Sequence, residues 1–368
     1  MPARRTPPKH VTIVDVARAS GFSPSTVSIV LNEAPLSRYV AAQTKEHIRQ
    51  TAQTLGYRPD AFARSLRSRR SNTVGIMIFD ISDPFCTLIL RGIERALHPT
   101  PYLPIMMDAH NDRRQFEGYL ELLMQRRVEG LIVVANWLFE EGGLLARVRD
   151  SSLPTIVVGR DLSACGMRSV IVENEQGGYL AMQHLHQLGH RHIAVLRGPV
   201  SLSDSRRRWD GIQRFASEQS LTVDPACVRE LPDAQDAISG FEGGQALTAD
   251  LLRSGALFTA ILAFDDLTAL GAVRSLTQAG LRVPGDCSVI GFDDVPPALL
   301  STPGITTIRQ PMEEMGALAA DFVLDSIRNP KEPHEDGPLV RMLPPSLVLR
   351  ASTAPPVLMN AQSLVDKA

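Results

Sequence analysis

The sequence predicts a small all-α helix-turn-helix unit placed ahead of a larger α/β body whose two lobes are built on parallel sheets. Three observations carry that prediction. Residues 1–72 are strongly basic, two short capped helices joined by a glycine turn lie near the N-terminus, and the rest alternates short apolar runs with amphipathic stretches.

The 368 residues have a net charge of −2. Residues 1–72 hold twelve bases and four acids, a balance of +8, while the remainder holds 26 bases and 36 acids, a balance of −10. A basic segment on an acidic body is the asymmetry expected when one part meets phosphates and the other avoids them. At about 100–200 residues per domain the length calls for two or three domains. A composition of 44% hydrophobic and 21% charged residues excludes collagenous, disordered and disulfide-scaffold classes. No run of about 18 apolar residues is present and no apolar stretch follows the charges of the first residues, so a cytoplasmic location is expected. Cys86, Cys165, Cys227 and Cys287 form no C-x-x-C pair and read as reduced thiols. No metal and no cofactor are expected.

Thr12 offers an N-cap hydroxyl with Asp15 three residues on, and Ile13, Val16 and Ala17 follow at helical spacing until Gly21. Ser23 and Pro24 repeat the start signal for a helix over 24–31, whose apolar stripe is Val27, Val30 and Leu31. Two short helices joined this way present the second to the DNA major groove, N-terminal residues toward the bases. A third helix over about 44–55, with Ile48, Ala52 and Leu55 inward and Gly56 at its end, closes a mini-core. After Pro59, residues 60–67 hold a helix of two turns, too short to persist alone, and residues up to 72 read as a polar linker.

These residues carry a family resemblance. Thr12-Ile13-Val14-Asp15-Val16-Ala17, Gly21-Phe22-Ser23, Thr26-Val27-Ser28, Leu31-Asn32 and Leu55-Gly56-Tyr57-Arg58-Pro59 resemble, in order and spacing, the headpiece of the LacI/GalR family of bacterial transcription regulators. The resemblance implies that Thr12, Ile13, Pro24, Ser25, Thr26, Ser28, Ile29, Asn32, Tyr57 and Ala63 meet operator DNA. It also implies that residues 60–67 form a hinge helix ordered on DNA, with Leu66 wedged into the minor groove, where an apolar wedge kinks the duplex. Three departures stand out. Ile29 replaces the usual Arg and loses a bidentate guanine contact; Asp60 replaces the usual Asn; and residues 34–43 are a few residues longer than in many members.

Behind the linker, apolar runs at 74–79, 103–107, 130–135, 155–159, 192–196, 259–264 and 288–292 alternate with helical stretches, which argues for parallel sheets with crossover helices. Ligands of such sheets bind beyond the carboxyl ends of the strands. Asp80 to Phe85, Asn136-Trp137, Gly198-Pro199 with Arg206-Arg207-Arg208, Asp265-Asp266 and Asp293-Asp294 stand there. Carboxylates, guanidinium groups and aromatic faces together suit a sugar-like ligand.

The resemblance continues to about Pro356 and implies a periplasmic-binding-protein-like core, with Asp83, Phe85, Trp137, Arg208 and Asp266 on the effector. The expected organisation is a headpiece over 1–59, a hinge and linker over 60–72, a core over 73–356 and a tail over 357–368. Within the core, one lobe takes 73–190 with 305–329 and the other 191–304 with 330–356. The implied function is a homodimeric regulator, a repressor, whose partners are operator DNA and a small effector: a sugar or sugar derivative first, a purine second, with no membrane partner. A solute-binding protein of a transporter is the alternative, but it would need an export signal and has no use for a basic headpiece. An enzyme is not expected, because no G-x-G-x-x-G or G-x-x-x-x-G-K-[ST] follows any strand.

Overall fold

The computed structural model describes residues 11–57, 70–135, 148, 153–232, 239–329 and 339–356. The chain forms two compact units that meet between Ser71 and Asn72.

In the first unit α1 (Ile13–Ser20) starts on a reciprocal capping box: the Asp15 amide donates to Thr12 Oγ1 at 3.3 Å, and the Thr12 amide donates back to Asp15 Oδ2 at 2.9 Å. Ser23 caps α2 (Pro24–Leu31) by accepting from the Thr26 amide at 3.1 Å. A 3₁₀ turn, Pro35–Tyr39, leads into α3 (Ala42–Leu55), which begins two residues before the predicted position. Val16, Ala17, Val27, Val30, Ile48 and Ala52 are the buried core that locks the three helices together.

The second unit contains two six-stranded sheets. The first is built from β1 (Thr73–Ile78), β2 (Leu103–Asp108), β3 (Gly130–Val134), β4 (Thr155–Val158), β5 (Arg168–Val172) and a late strand, Val340–Leu343. All its pairings are parallel. Helices α4 (Pro84–Leu97) and α5 (Arg113–Gln125) are its crossovers. The second lobe opens with α6 (Asn174–Gln187) and continues through β6 (Ile193–Arg197), α7 (Ser203–Glu218), β7 (Val228–Glu230), α8 (Ser239–Arg253), β8 (Ala260–Ala263), α9 (Asp266–Gln278), β9 (Ser288–Asp293), α10 (Pro296–Leu300) and β10 (Thr306–Arg309). After β10 the chain returns to the first lobe as α11 (Met312–Arg328) and then β11 (Val340–Leu343). It ends in the second lobe with β12 (Ser346–Val348), antiparallel to β10.

This threading corrects the predicted lobe limits. Helix α6, assigned by sequence to the first lobe, packs on α7 of the second, so the first crossing comes directly after β5. Strand β10 pairs Thr306 with Ile290 and belongs to the second sheet, whereas β11 pairs Val340 with Ser169 and belongs to the first. The pairing of Val340 with Ser169 joins residues 171 positions apart, and local patterning carries no trace of such a partner. Among the described residues, no helix is long and apolar enough to cross a membrane.

Candidate functional site

On the headpiece, Pro24 and Ser25 are exposed at the start of α2, the position from which a recognition helix reads bases. Thr12 is exposed, with its hydroxyl 2.7 Å from Asp15 Oδ2, while Ile13 and Tyr57 are half-buried against the mini-core. Thr26 and Ser23 share a hydroxyl contact of 2.9 Å, so Thr26 also serves the cap. Asn32 donates to the Ser28 carbonyl at 2.9 Å and to Ser28 Oγ at 3.2 Å, which ties these two expected DNA contacts to each other. Ile29 is half-buried. Ala63 and Leu66 lie outside the described residues, as do Asp60 and Trp137.

In the second unit a cleft of about 70 Å³ runs between the lobes, and Asp83 and Phe85 line it from the first lobe. Asp204, Arg208, Phe264, Asp265 and Asp293 line it from the second, with Gln310 at a chain crossing. Helix packing sets Arg208. A Cβ on Gly178 would come 2.0 Å from the Arg208 carbonyl, and one on Gly211 would come 1.8 Å from the Glu175 carbonyl. Only glycines let α6 and α7 approach this closely, and Asn174 thereby reaches Arg208 Nε at 2.8 Å.

Arg208 is held on every side. Its Nη1 donates to the Phe264 carbonyl at 2.6 Å, its guanidinium carbon lies 3.6 Å from the Phe292 ring centroid, and Nη2 stands 3.6 Å from Asp293 Oδ1. Side-chain entropy is therefore removed before any ligand arrives.

Asp293 and Asp294 have left-handed backbones, with φ of +112° and +65°. Such a conformation is costly without glycine and persists where surrounding contacts enforce it. Gln310 Nε2 donates to Asp293 Oδ1 at 2.6 Å, and Asp294 is paired with Arg309 at 2.6 Å and with Arg350. The held turn aims Asp293 into the cleft. Burial pushes its carboxyl well above the usual range, against the pull of the Arg208 charge. Asp204 is also pushed up by burial, opposed by the charges of Arg208, Arg160 and Arg207. Arg160 belongs to the first lobe, and its neighbour Asp161 stands 4.0 Å from Arg207 of the second, so opposite charges face each other between the lobes.

Asp83 caps α4 by accepting from the Phe85 amide at 2.9 Å and lines the cleft at the same time. Phe85 is 7% exposed, with one edge on the cleft and the rest in the first lobe's core. The expectation for Asp266 is corrected: it is 0% exposed and lies beneath the cleft instead of lining it. Its carboxyl is turned to Thr307 and Val295, and a Cβ on Gly291 would meet it at 2.3 Å. Asp265 takes the expected place, lining the cleft while accepting from the Thr268 amide at 2.7 Å as the cap of α9. Sequence reasoning also missed Asp204, Phe264 and Gln310. Asp204 stands one turn before Arg208 on α7, a spacing that could have found it.

Residues 12–60 match the model described as bacterial regulatory proteins, lacI family, and residues 182–353 match a periplasmic binding protein-like domain. The HTH-type transcriptional repressor PurR of Edwardsiella ictaluri is 33% identical over 345 residues, covering 93% of this chain and 97% of that protein. The ribose operon repressor of Haemophilus influenzae is 30% identical over 341 residues, covering 93% and 98%. Among solved structures, the lac repressor dimer bound to operator and the anti-inducer ONPF superposes with a TM-score of 0.81 at 28% identity, covering 94% of this chain and 100% of that one. A complex of the regulator CelR with cellobiose superposes at 0.67 with 26% identity, covering 93% and 100%. A LacI-family regulator of Enterococcus faecium with bound ribose superposes at 0.65 with 29% identity, covering 77% and 99%. A capped helix-turn-helix on a basic segment, a two-lobed core and this likeness along nearly the whole chain agree: the chain belongs to the LacI family of bacterial transcription regulators.

Proposed function

We propose that the protein is a homodimeric transcription repressor that binds a near-palindromic operator through two headpieces and changes its operator affinity when a sugar or sugar derivative occupies the cleft. The observation that carries the effector reading is the rigid Arg208 facing Asp293, with Asp265, Asp204 and Asp83 around the same space. Carboxylates accept from sugar hydroxyls, the guanidinium donates to ring and hydroxyl oxygens, and the Phe264 and Phe85 edges offer apolar contact to a sugar face. Cellobiose in one structural neighbour and ribose in another support a sugar; a purine is the second candidate.

In the full account residues 1–59 read DNA, 60–72 form the hinge and linker, 73–356 bind effector and dimerise, and 357–368 are a tail. Leu103 and Met106 on the edge strand β2 are 68% and 48% exposed, and Leu299 and Leu300 on α10 are 62% and 79% exposed. Apolar side chains on an open strand edge and on an outer helix suit a second copy of the chain. Effector and operator then act on one another through the lobe arrangement, with reciprocal coupling. A dimer would bring a charge of about +16 to the phosphates, so operator affinity falls steeply as salt rises.

The test uses duplexes selected by the full-length protein from a random library, together with a thermal-shift panel of sugars and purines. Removing residues 1–59 should abolish duplex binding and leave ligand stabilisation intact, since a ligand at 100 times its Kd adds about 2.7 kcal/mol. Loss of ligand stabilisation in that truncation would contradict the modular reading. Leu66→Ala should weaken the selected duplex and spare a scrambled one; equal loss on both would exclude the wedge.

A further inference from the structure

The cleft lies beyond the carboxyl ends of the strands. At the opposite, amino ends of β3, β4 and β5 the first lobe holds a separate cavity of about 430 Å³, within the range of small-molecule sites. Glu129 lines it just ahead of β3, Pro154 and Ile156 line it around the start of β4, Met167 and Arg168 at the start of β5, and Ile327 from the last turn of α11. Among the described residues, none lines both this cavity and the cleft.

Most polar groups on its wall are already satisfied. Thr155 Oγ1 donates to the Leu153 carbonyl at 2.9 Å, Ser326 Oγ to the Phe322 carbonyl at 2.9 Å, and Asn329 Nδ2 to Asp325 Oδ1 at 3.1 Å. Glu129 accepts from the Asn72 amide at 2.7 Å on one oxygen and from the Tyr102 hydroxyl at 3.4 Å on the other. Arg168 differs. Its Nε is buried and donates to nothing among the described residues, and its guanidinium carbon lies 5.5 Å from the Phe322 ring centroid. A cation with a buried, unpaired donor is costly to hold, and an anion inside the cavity would complete it.

The rest of the wall decides what kind of anion. Ile156, Met167 and Ile327 are buried apolar side chains, with Pro154 beside them, so the occupant has an apolar body. Glu129 on the same wall carries a negative charge, which disfavours a doubly charged phosphate and leaves room for one negative charge opposite Arg168. We propose that this cavity is a second small-molecule site, distinct from the cleft, that takes a monocarboxylate with a compact aromatic body. The carboxylate accepts from Arg168 Nε and a neighbouring Nη as a two-pronged pair, and the ring packs among Ile156, Met167 and Ile327. The site stands whether or not the headpiece binds DNA.

The test titrates the full-length protein with benzoate by calorimetry near neutral pH, with benzamide and inorganic phosphate as comparison ligands. Benzoate should bind with a Kd on the order of 1 mM or below, and both comparison ligands at least about tenfold more weakly. Arg168→Gln should weaken benzoate at least about tenfold, because the charge-assisted hydrogen bonds are lost, while Arg168→Lys keeps part of the affinity. Asn329→Arg places a cation at an exposed helix C-terminus on the cavity's rim, which suits the fold, and should tighten benzoate severalfold. Melting temperatures without ligand show that each variant is folded. No heat of binding from benzoate in wild type overturns the proposal. Benzamide or phosphate binding as well as benzoate removes the monocarboxylate from it. Benzoate affinity unchanged in both Arg168→Gln and Asn329→Arg would place the carboxylate elsewhere on the protein, and the cavity would not be its site.

Discussion

Thr307 donates its hydroxyl to Asp266 Oδ1 at 2.6 Å while the Val295 amide donates to Asp266 Oδ2 at 2.9 Å, in a site closed to solvent. One carboxyl thus ties the start of α9 to β10 and to the entry of α10. Burial raises it to about 8, outweighing the hydrogen bonds that favour the charged form. Asp266→Ala should cost about 2–4 kcal/mol, because it leaves a buried hydroxyl and a buried amide unpaired. Asp266→Asn should cost less, since an amide can serve both partners. Chemical denaturation separates the two; equal and negligible losses would remove Asp266 from the fold's framework.

The same group sets a pH dependence. Its ordinary value is 3.8 and its folded value about 8, so between those limits the folded chain keeps a proton that the unfolded chain has released. Stability contributed here is therefore complete below about pH 4 and declines as pH rises toward 8. Denaturation midpoints across that range should fall with pH in wild type and fall less in Asp266→Asn. Identical slopes would mean that the carboxyl titrates normally.

Gly178→Ala should act at a distance. Its new methyl would press on the Arg208 carbonyl, 2.0 Å away in the present packing, and force α6 and α7 apart. Displacing Arg208 by even a fraction of an ångström should weaken the ligand found by thermal shift at least tenfold, by calorimetry, with duplex affinity of the ligand-free protein little changed. Unaltered ligand affinity would show that Arg208 needs no such placement.

Asp265→Asn separates capping from ligand contact. Asn caps a helix as well as Asp, so the melting temperature should stay within a few degrees, whereas a cleft contact that needs a carboxylate should weaken. Asp265→Ala should lose about 1 kcal/mol of stability in addition. A normal ligand affinity in Asp265→Asn would assign the residue to the cap alone.

Between the lobes, Asp161 and Arg207 stand 4.0 Å apart and both reach solvent, so their pairing is worth less than about 1 kcal/mol. Asp161→Lys should weaken ligand binding severalfold at low salt, and Arg207→Asp in the same chain should restore much of it. A double-mutant cycle with no coupling at low salt would mean that the charges do not hold the lobes.

Legibility in the sequence followed the range of the interactions involved. The caps at Thr12 and Ser23 use groups three residues apart, so patterning located α1 and α2. The strand runs that face core on both sides, such as Ile76 to Ile78 and Ile261 to Ala263, were equally plain. Lobe membership was not, since β10 stays with its near neighbour β9 while β11 crosses back to β5, far earlier in the chain. Asp265 and Asp266 are chemically alike and adjacent; only the pairing of β9 with β10, which brings Thr307 over α9, decides which carboxyl turns inward. Asp204 stands in the run Ser203-Asp204-Ser205-Arg206-Arg207-Arg208, which reads as a solvated face, whereas the fold half-buries it in the cleft within reach of the Arg160 charge.

On the proposed function, one ligand in the cleft and one duplex on the headpieces act on each other through the same chain. It is tested most directly by the selected duplex's affinity for the full-length protein, with and without the ligand that raises its melting temperature, in wild type and in Asp293→Ala. A change of about 5- to 150-fold is expected in wild type and none in Asp293→Ala. A ligand that stabilises the wild-type protein yet leaves its duplex affinity unchanged would contradict it.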